Sequence, residues 1–288
     1  GSGNFDYITI KYDPSGTQLW ATPYNGTANG FDEAYALVVD NSTGDVFVTG
    51  GADMTSQSTN MVTLKYNSAG VQQNLAQYNG TPASTAIDNG LDIFMDAAKN
   101  IYVTGYATIN GQDLNYVTMK YNNSLGAIWG SPALYNGTGN LLDIASKVVV
   151  DNSGNVYVTG SSYGGQLFDL DFLTIKYNSA GAQQWVRRYD GAASEEDKAL
   201  DMLVDNNGDV YITGRVNGPV GQSENIVTIK YSSAGNQLWL NQYNGPASQF
   251  DEGNSIKQGK NGHIYVTGFS RGIGTNNDYL TLKHDSSN

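Results

Sequence analysis

The chain has 288 residues and a formal net charge of −12. Its isoelectric point near 4.4 excludes the clustered lysines and arginines that nucleic acid requires, and disfavours acidic lipid surfaces. Thirty-five Gly, 20 Tyr and only 15% charged residues suit many short strands joined by turns and suit helices poorly. With no cysteine there are no disulfide staples, no thiolate catalysis and no Cys-based zinc site.

No run of about 18 apolar residues is present to span a bilayer as a helix, so membrane insertion is not expected. Length alone permits one large all-β domain or two ordinary ones. The leading Gly1-Ser2-Gly3 reads as a tag remnant, which leaves room for a signal peptide ahead of it.

The first predicted element is YITIKY (Tyr7–Tyr12), whose apolar/polar alternation is that of a half-buried strand. Its Lys-Tyr pair recurs as Lys65-Tyr66, Lys120-Tyr121, Lys176-Tyr177, Lys230-Tyr231 and, altered, Lys283-His284, at intervals of 54, 55, 56, 54 and 53 residues. After each of the first five pairs comes a turn with glycine (Gly16, Gly70, Gly126, Gly181, Gly235), as a tight hairpin needs. A strand follows with Trp20, Trp129, Trp185 or Trp239 eight residues past the tyrosine, with Asn74 in the second repeat. A longer, variable link leads to an aspartate and an apolar run such as ALVVD. A second hairpin then closes the period: Asp40–Gly50, Asp96–Gly105, Asp151–Gly160, Asp205–Gly214 and the degraded Gly259–Gly268. We name the four runs A (ALVVD), B (VFVTG), C (TLKY) and D (the Trp run).

Four-strand units of this size with periodic aromatics indicate β-propeller blades. The chain begins with C and D, runs through four A-to-D sets and ends with A, B and C. The expected fold is therefore an all-β propeller over residues 1–288, closed by strands from both termini. Five blades are expected, with six or more as the alternative. The repeats fall near 6–59, 60–114, 115–170, 171–224 and 225–277, with a surplus C strand at 278–284.

The pattern Asx-aromatic-x-Thr-x-Lys-Tyr, Gly, Trp, Tyr-Asn-Gly, Asp, and then D-N-x-G-N-V-Y-V-T-G, resembles the bacterial beta-propeller repeat known as the SBBP family. The resemblance covers essentially the whole chain. It implies a secreted or surface-anchored bacterial or archaeal protein, and implies no single activity.

The A–B and C–D links are tight, whereas the D–A and B–C links are long and varied. In a propeller these pairs lie on opposite faces, so a binding site is expected on the long-loop face. The first candidates there are Asp32, Asp88, Asp143, Asp197 and Asp251, each eight residues before the A–B turn. Five carboxylates round a channel suit a cation or polar ligand. The competing reading is that each caps backbone amides or pairs with a repeat lysine such as Lys65 or Lys120.

Residues that the repeat does not explain are the second set. The B–C side carries Tyr106, Tyr163, Phe168, Arg215, Phe269 and Arg271. The D–A side carries Phe31, Glu33, Glu195, Glu196, Phe250 and Glu252. Aromatics beside short polar groups suit carbohydrate or peptide. The inner-strand positions Ala36, Asp92, Lys147, Asp201 and Ser255 also differ among repeats. The Asp-Asn-x-Gly-Asn turn is accounted for by an Asx-turn, without calcium.

Catalytic signals are few. His263 and His284 both read as surface substitutions, and no nucleophile elbow, metal-ligand pair or phosphate loop occurs. A glycoside hydrolase would need two carboxyl groups about 5–9.5 Å apart. Asp92 and Asp201, with Glu33, Glu195 or Glu252, are its candidates. The expected function is non-enzymatic binding of carbohydrate or a surface protein, with no cofactor, no metal and no nucleic acid. A spacer module of a longer surface protein is the alternative, and a glycosidase the remaining one.

Overall fold

A computed structural model describes residues 5–55, 58–81, 85–109, 113–138, 140–165, 170–192, 195–218 and 223–285. It divides into two compact units, Gly1–Asn136 and Gly137–Asn288. Among the described residues every regular element is a strand, and no helix is long and apolar enough to cross a membrane.

The first unit holds three antiparallel sheets in chain order. They are β1 (Tyr7–Tyr12) with β2 (Gln18–Tyr24); β3 (Asp32–Val39), β4 (Val46–Thr55), β5 (Ser58–Tyr66) and β6 (Gln72–Tyr78); and β7 (Asp88–Met95), β8 (Ile101–Thr108), β9 (Leu114–Tyr121) and β10 (Ala133–Tyr135). The second unit repeats the plan. It has β11 (Asp143–Val150), β12 (Val156–Tyr163), β13 (Leu170–Tyr177) and β14 (Gln183–Tyr189). Next come β15 (Lys198–Val204), β16 (Val210–Asn217), β17 (Glu224–Tyr231) and β18 (Gln237–Tyr243), and then β19 (Asp251–Gln258), β20 (Ile264–Arg271) and β21 (Asn277–His284).

The expectation of five blades with termini sharing one sheet is corrected: among the described residues six sheets form. Each terminal C strand already has its own partner. β1 pairs with β2 through Tyr7↔Tyr24 to Tyr12↔Gln18, and β21 pairs with β20 through Arg271↔Asn277 to Ile264↔His284. Two complete C strands cannot use one slot, so the seam sheet foreseen from the sequence does not arise. A second difference is local. Trp129 was expected inside a D strand, but β10 spans only Ala133–Tyr135. Two extra residues between Tyr121 and Tyr135, with Gly130 and Pro132 among them, interrupt the ladder, since proline has no N–H to give.

The hairpin that marks the repeat is built by its aspartate. Asp151 Oδ1 accepts the Ser153 and Asn155 amides at 2.9 Å each, and Oδ2 accepts Asn155 Nδ2 at 2.8 Å and the Tyr157 hydroxyl at 3.1 Å. This is the Asx-turn expected from Asp-Asn-x-Gly-Asn. The B strand runs through the middle of each four-stranded sheet and is buried on both sides: Val156, Tyr157 and Val158 are inaccessible. Its threonine bonds the C-strand threonine, as in Thr49–Thr63 (3.1 Å), Thr104–Thr118 (2.9 Å) and Thr159–Thr174 (2.9 Å).

The repeat lysine lies over the B-strand ring, with Lys65 5.3 Å from Phe47, Lys176 5.1 Å from Tyr157 and Lys230 5.0 Å from Tyr211. Its ammonium reaches a short turn, at Asp45 (2.9 Å) for Lys65 and Asp209 (2.9 Å) for Lys230. The tryptophan ties sheets together within a unit. Trp185 lies 6.1 Å from Tyr157 of its own sheet and 6.3 Å from Tyr231 of the next, and its Nε1 donates to Ser233 O. Every A strand also carries a β-bulge, at Tyr35, Leu91, Ser146, Leu200 and Asn254. A bulge re-aims the side chain at the inserted position.

Candidate ligand-binding face

Asp32, Asp88, Asp143 and Asp251 open their A strands, Asp197 immediately precedes β15, and all five are buried with no accessible surface. Their carboxylates face backbone amides of the adjoining long loops. Asp32 accepts from Gly26 (2.6 Å) and Asp53 (2.8 Å), Asp88 from Gly80 and Thr108 (2.9 Å each), and Asp197 from Gly191 (2.6 Å) and Asn217 (2.8 Å). Asp143 accepts from Gly137 (2.7 Å) and Asp251 from Gly245 (2.6 Å). Asp32, Asp88 and Asp197 thus each join the D–A loop to the outgoing end of the B strand, and Asp143 and Asp251 hold the D–A loop, so the five act as loop braces. Burial pushes the carboxyl of Asp88 up to about 6 and that of Asp197 up to about 7, although the amides pull the other way.

In the second unit Asp171, Asp190 and Asp197 bring one oxygen each within 4.8 Å of one another. Arg188 supplies the positive charge there, its Nη1 2.5 Å from Asp171 Oδ2.

What the braced loops present differs between sheets. In the first unit a cavity of about 160 Å³ is lined by Phe31, Glu33, Tyr35, Gly51, Thr59 and Asn89. Tyr35, the bulge residue of β3, donates its hydroxyl to Glu33 Oε2 at 2.5 Å, and Asn89 Nδ2 donates to the Tyr106 hydroxyl at 2.6 Å. Burial, then the bond to Glu33, raise the Tyr35 phenol above its ordinary range. Phe31 is 59% and Tyr35 47% exposed, so two ring surfaces and one carboxylate meet solvent together. Gly51 keeps the cavity open, because a Cβ there would run into the Asn89 side-chain oxygen.

In the second unit Arg215 stands among Glu196 (3.2 Å), Glu224 (3.4 Å) and Glu252 (3.4 Å). Its guanidinium lies 5.1 Å from the Phe250 ring, which stacks on Phe269 at 5.4 Å and 11°. Of the residues expected on this face, the structure therefore gathers Phe31, Glu33 and Tyr106 in one unit, and Glu196, Arg215, Phe250, Glu252 and Phe269 in the other. Tyr163 ends β12 with its amide on Leu142 O (3.1 Å), and Phe168 lies outside the described residues. Glu195 is exposed on the D–A loop before β15, and Arg271 closes β20.

Asp201, a candidate acid for hydrolysis, is engaged: Oδ2 accepts Ser255 Oγ at 3.0 Å and the Ile256 amide at 2.9 Å, and Oδ1 accepts the Met202 amide at 2.9 Å. Asp92, the other aspartate of that reading, is buried in β7. Sequence reasoning missed Tyr35 and Asn89. The signal was their offset: Tyr35 aligns with Leu91, Ser146, Leu200 and Asn254, and Asn89 with Glu33, Ile144, Lys198 and Glu252.

Fold and repeat define the class, a repeat protein of β-propeller architecture. Residues 133–168 match the family described as SBBP, beta-propeller repeat. An uncharacterized WD repeat-containing protein of Acanthamoeba polyphaga mimivirus is 26% identical over 74% of this chain, which spans 14% of that relative's length. Among solved structures, the periplasmic gluconolactonase of Pseudomonas aeruginosa superposes with a TM-score of 0.53 at 11% identity, over 97% of this chain and 77% of that one. An alpha-L-arabinofuranosidase of Fusarium graminearum, in complex with an iminosugar inhibitor, gives 0.53 at 10% identity over 99% and 86%. At such identity the likeness is one of fold.

Proposed function

We propose that the chain is a non-enzymatic binding module, secreted or displayed at a cell surface, that takes carbohydrate or a surface protein on its long-loop face. The observation that carries this reading is the cavity at Phe31, Glu33, Tyr35 and Asn89. There, exposed rings and short polar groups converge on a scaffold whose loops are held by buried aspartates. Rings to stack on and few oriented polar groups are what a sugar or peptide site needs.

A glycan array probed with the purified chain tests the reading, with Tyr35→Ala and Asn89→Ala as controls. Binding lost in both variants supports it. An empty array, or binding indifferent to both, favours a spacer module. A second reading, glycoside hydrolysis, draws on the name of one fold neighbour, the alpha-L-arabinofuranosidase. It requires polysaccharide cleavage that Asp201→Asn abolishes, and the saturated hydrogen bonding of Asp201 weighs against it.

A further inference from the structure

Asp197 is the last of three Asx residues at fixed offsets. Asp171 on β13 lies 19 residues before Asp190 in the D–A loop, which lies seven before Asp197. The same spacing carries Asn225, Asn244 and Asp251 one repeat later. Asn60, Asn79 and Asp88 keep it with two residues added to the loop.

The C strand of one sheet and the A strand of the next bring each triad together. In the second unit the Asp197 amide donates to Leu170 O at 2.6 Å, beside Asp171. One oxygen from each of Asp171, Asp190 and Asp197 lies within 4.8 Å of the other two. In the first unit Thr59 and Ile87 form a parallel bridge, and the Thr59 amide donates to Ala86 O at 3.2 Å. Side chains alternate along a strand, so Asn60 and Asp88, one residue on, share one side of that bridge.

Two properties of these junctions call for a cation. The first is charge. Arg188 meets Asp171 from within its own sheet, but one guanidinium against three carboxylates leaves two negative charges. Asp190 is exposed, so the cluster is open to solvent. The second is a set of buried donor atoms with nothing to bind. Asn60, 2% exposed, has its Oδ1 without a hydrogen-bond partner, and so has Asn79. Asn225 is wholly buried with neither Oδ1 nor Nδ2 bonded, and Asp251 Oδ1 is likewise buried and unbonded. An unmet buried polar atom carries its full desolvation penalty. The orphans recur at the first position of the triad in both units, so they belong to the repeat rather than to one loop.

We propose that these sheet junctions bind calcium-class cations through the Asx–Asx–Asp triad, most tightly at Asp171, Asp190 and Asp197. Every donor is a carboxylate or amide oxygen, the set that a hard cation takes. Calcium accepts irregular coordination completed by water, which magnesium does not. Such an ion ties a C strand to the next A strand and to the D–A loop, and so stiffens the long-loop face whatever that face binds.

Terbium(III) is the probe, because tyrosine stands ready to sensitise it. Tyr189 feels the charges of Asp197 and Asp190, and Tyr78 that of Asp88. Tyrosine-excited terbium emission should saturate, and calcium should displace terbium about ten-fold better than magnesium does. Asp190→Asn, at an exposed side chain, should weaken the tightest phase about ten-fold. Asp13→Asn, which removes an acid from a short turn, should leave that phase unchanged. Added calcium should raise the urea midpoint more than sodium chloride of equal ionic strength. Asn60→Ala, with folding checked by circular dichroism, should remove one bound terbium ion per chain; undiminished stoichiometry overturns the site in the first unit. No sensitised emission overturns the proposal. So does emission that Asp13→Asn weakens as much as Asp190→Asn, which marks diffuse attraction to a chain of charge −12.

Discussion

Asp197 carries two consequences of one placement. Its carboxylate takes two backbone amides in a buried site, so Asp197→Asn sets an amide N–H against a backbone N–H. The expected cost is about 1–3 kcal/mol in urea unfolding. Its pKa, about 7, and that of Asp88, about 6, lie above the unfolded value near 4. An acid whose folded pKa is raised makes the fold most stable below the unfolded pKa. As pH rises from about 4 to 7 the unfolded chain releases the proton first, and stability falls. His284, whose pKa burial lowers, acts in the opposite sense but is one group against several. Urea midpoints should therefore decline between pH 4 and 7, and Asp197→Asn should flatten the upper part of that slope. A midpoint rising across the window would contradict the assignment. Arg215→Gln removes the cation shared by Glu196, Glu224 and Glu252, and should cost about 1–3 kcal/mol, more at low salt.

The strands were legible because their signals repeat. Lys-Tyr, Trp and V-Y-V-T-G each named a strand, and the structure gives each a contact: lysine over the B-strand ring, tryptophan between sheets, threonine on threonine. Trp185→Ala should cost about 3–5 kcal/mol, since it removes a ring packed against two sheets. Gly235 sits at φ +82° with Trp185 behind it, where a Cβ would lie 2.9 Å from the ring. Gly235→Ala should therefore cost at least about 1 kcal/mol, and calorimetry would check both. Bulges were not legible. A one-residue shift inside an apolar run leaves its composition unchanged, so no residue type marked Tyr35 as the bulged position. The short β10 was missed for a related reason, because the tryptophan period continues across an interrupted ladder.

At the scale of the molecule, periodicity specified strand order within each sheet but not how the two terminal strand sets are used. That depends on which C strand wins a slot, and β1 and β21 have nearly the same sequence, YITIKY and YLTLKH. Function was less legible than fold because the repeated polar groups brace loops, whereas the site candidates are the residues outside the period. The central claim is that ligands meet the long-loop face. The most direct test is hydrogen exchange with and without the ligand selected on the glycan array. Protection at 31–35 and 87–90, with the short turns at 40–45 and 96–100 unchanged, is the predicted result. Protection confined to those short turns would contradict it.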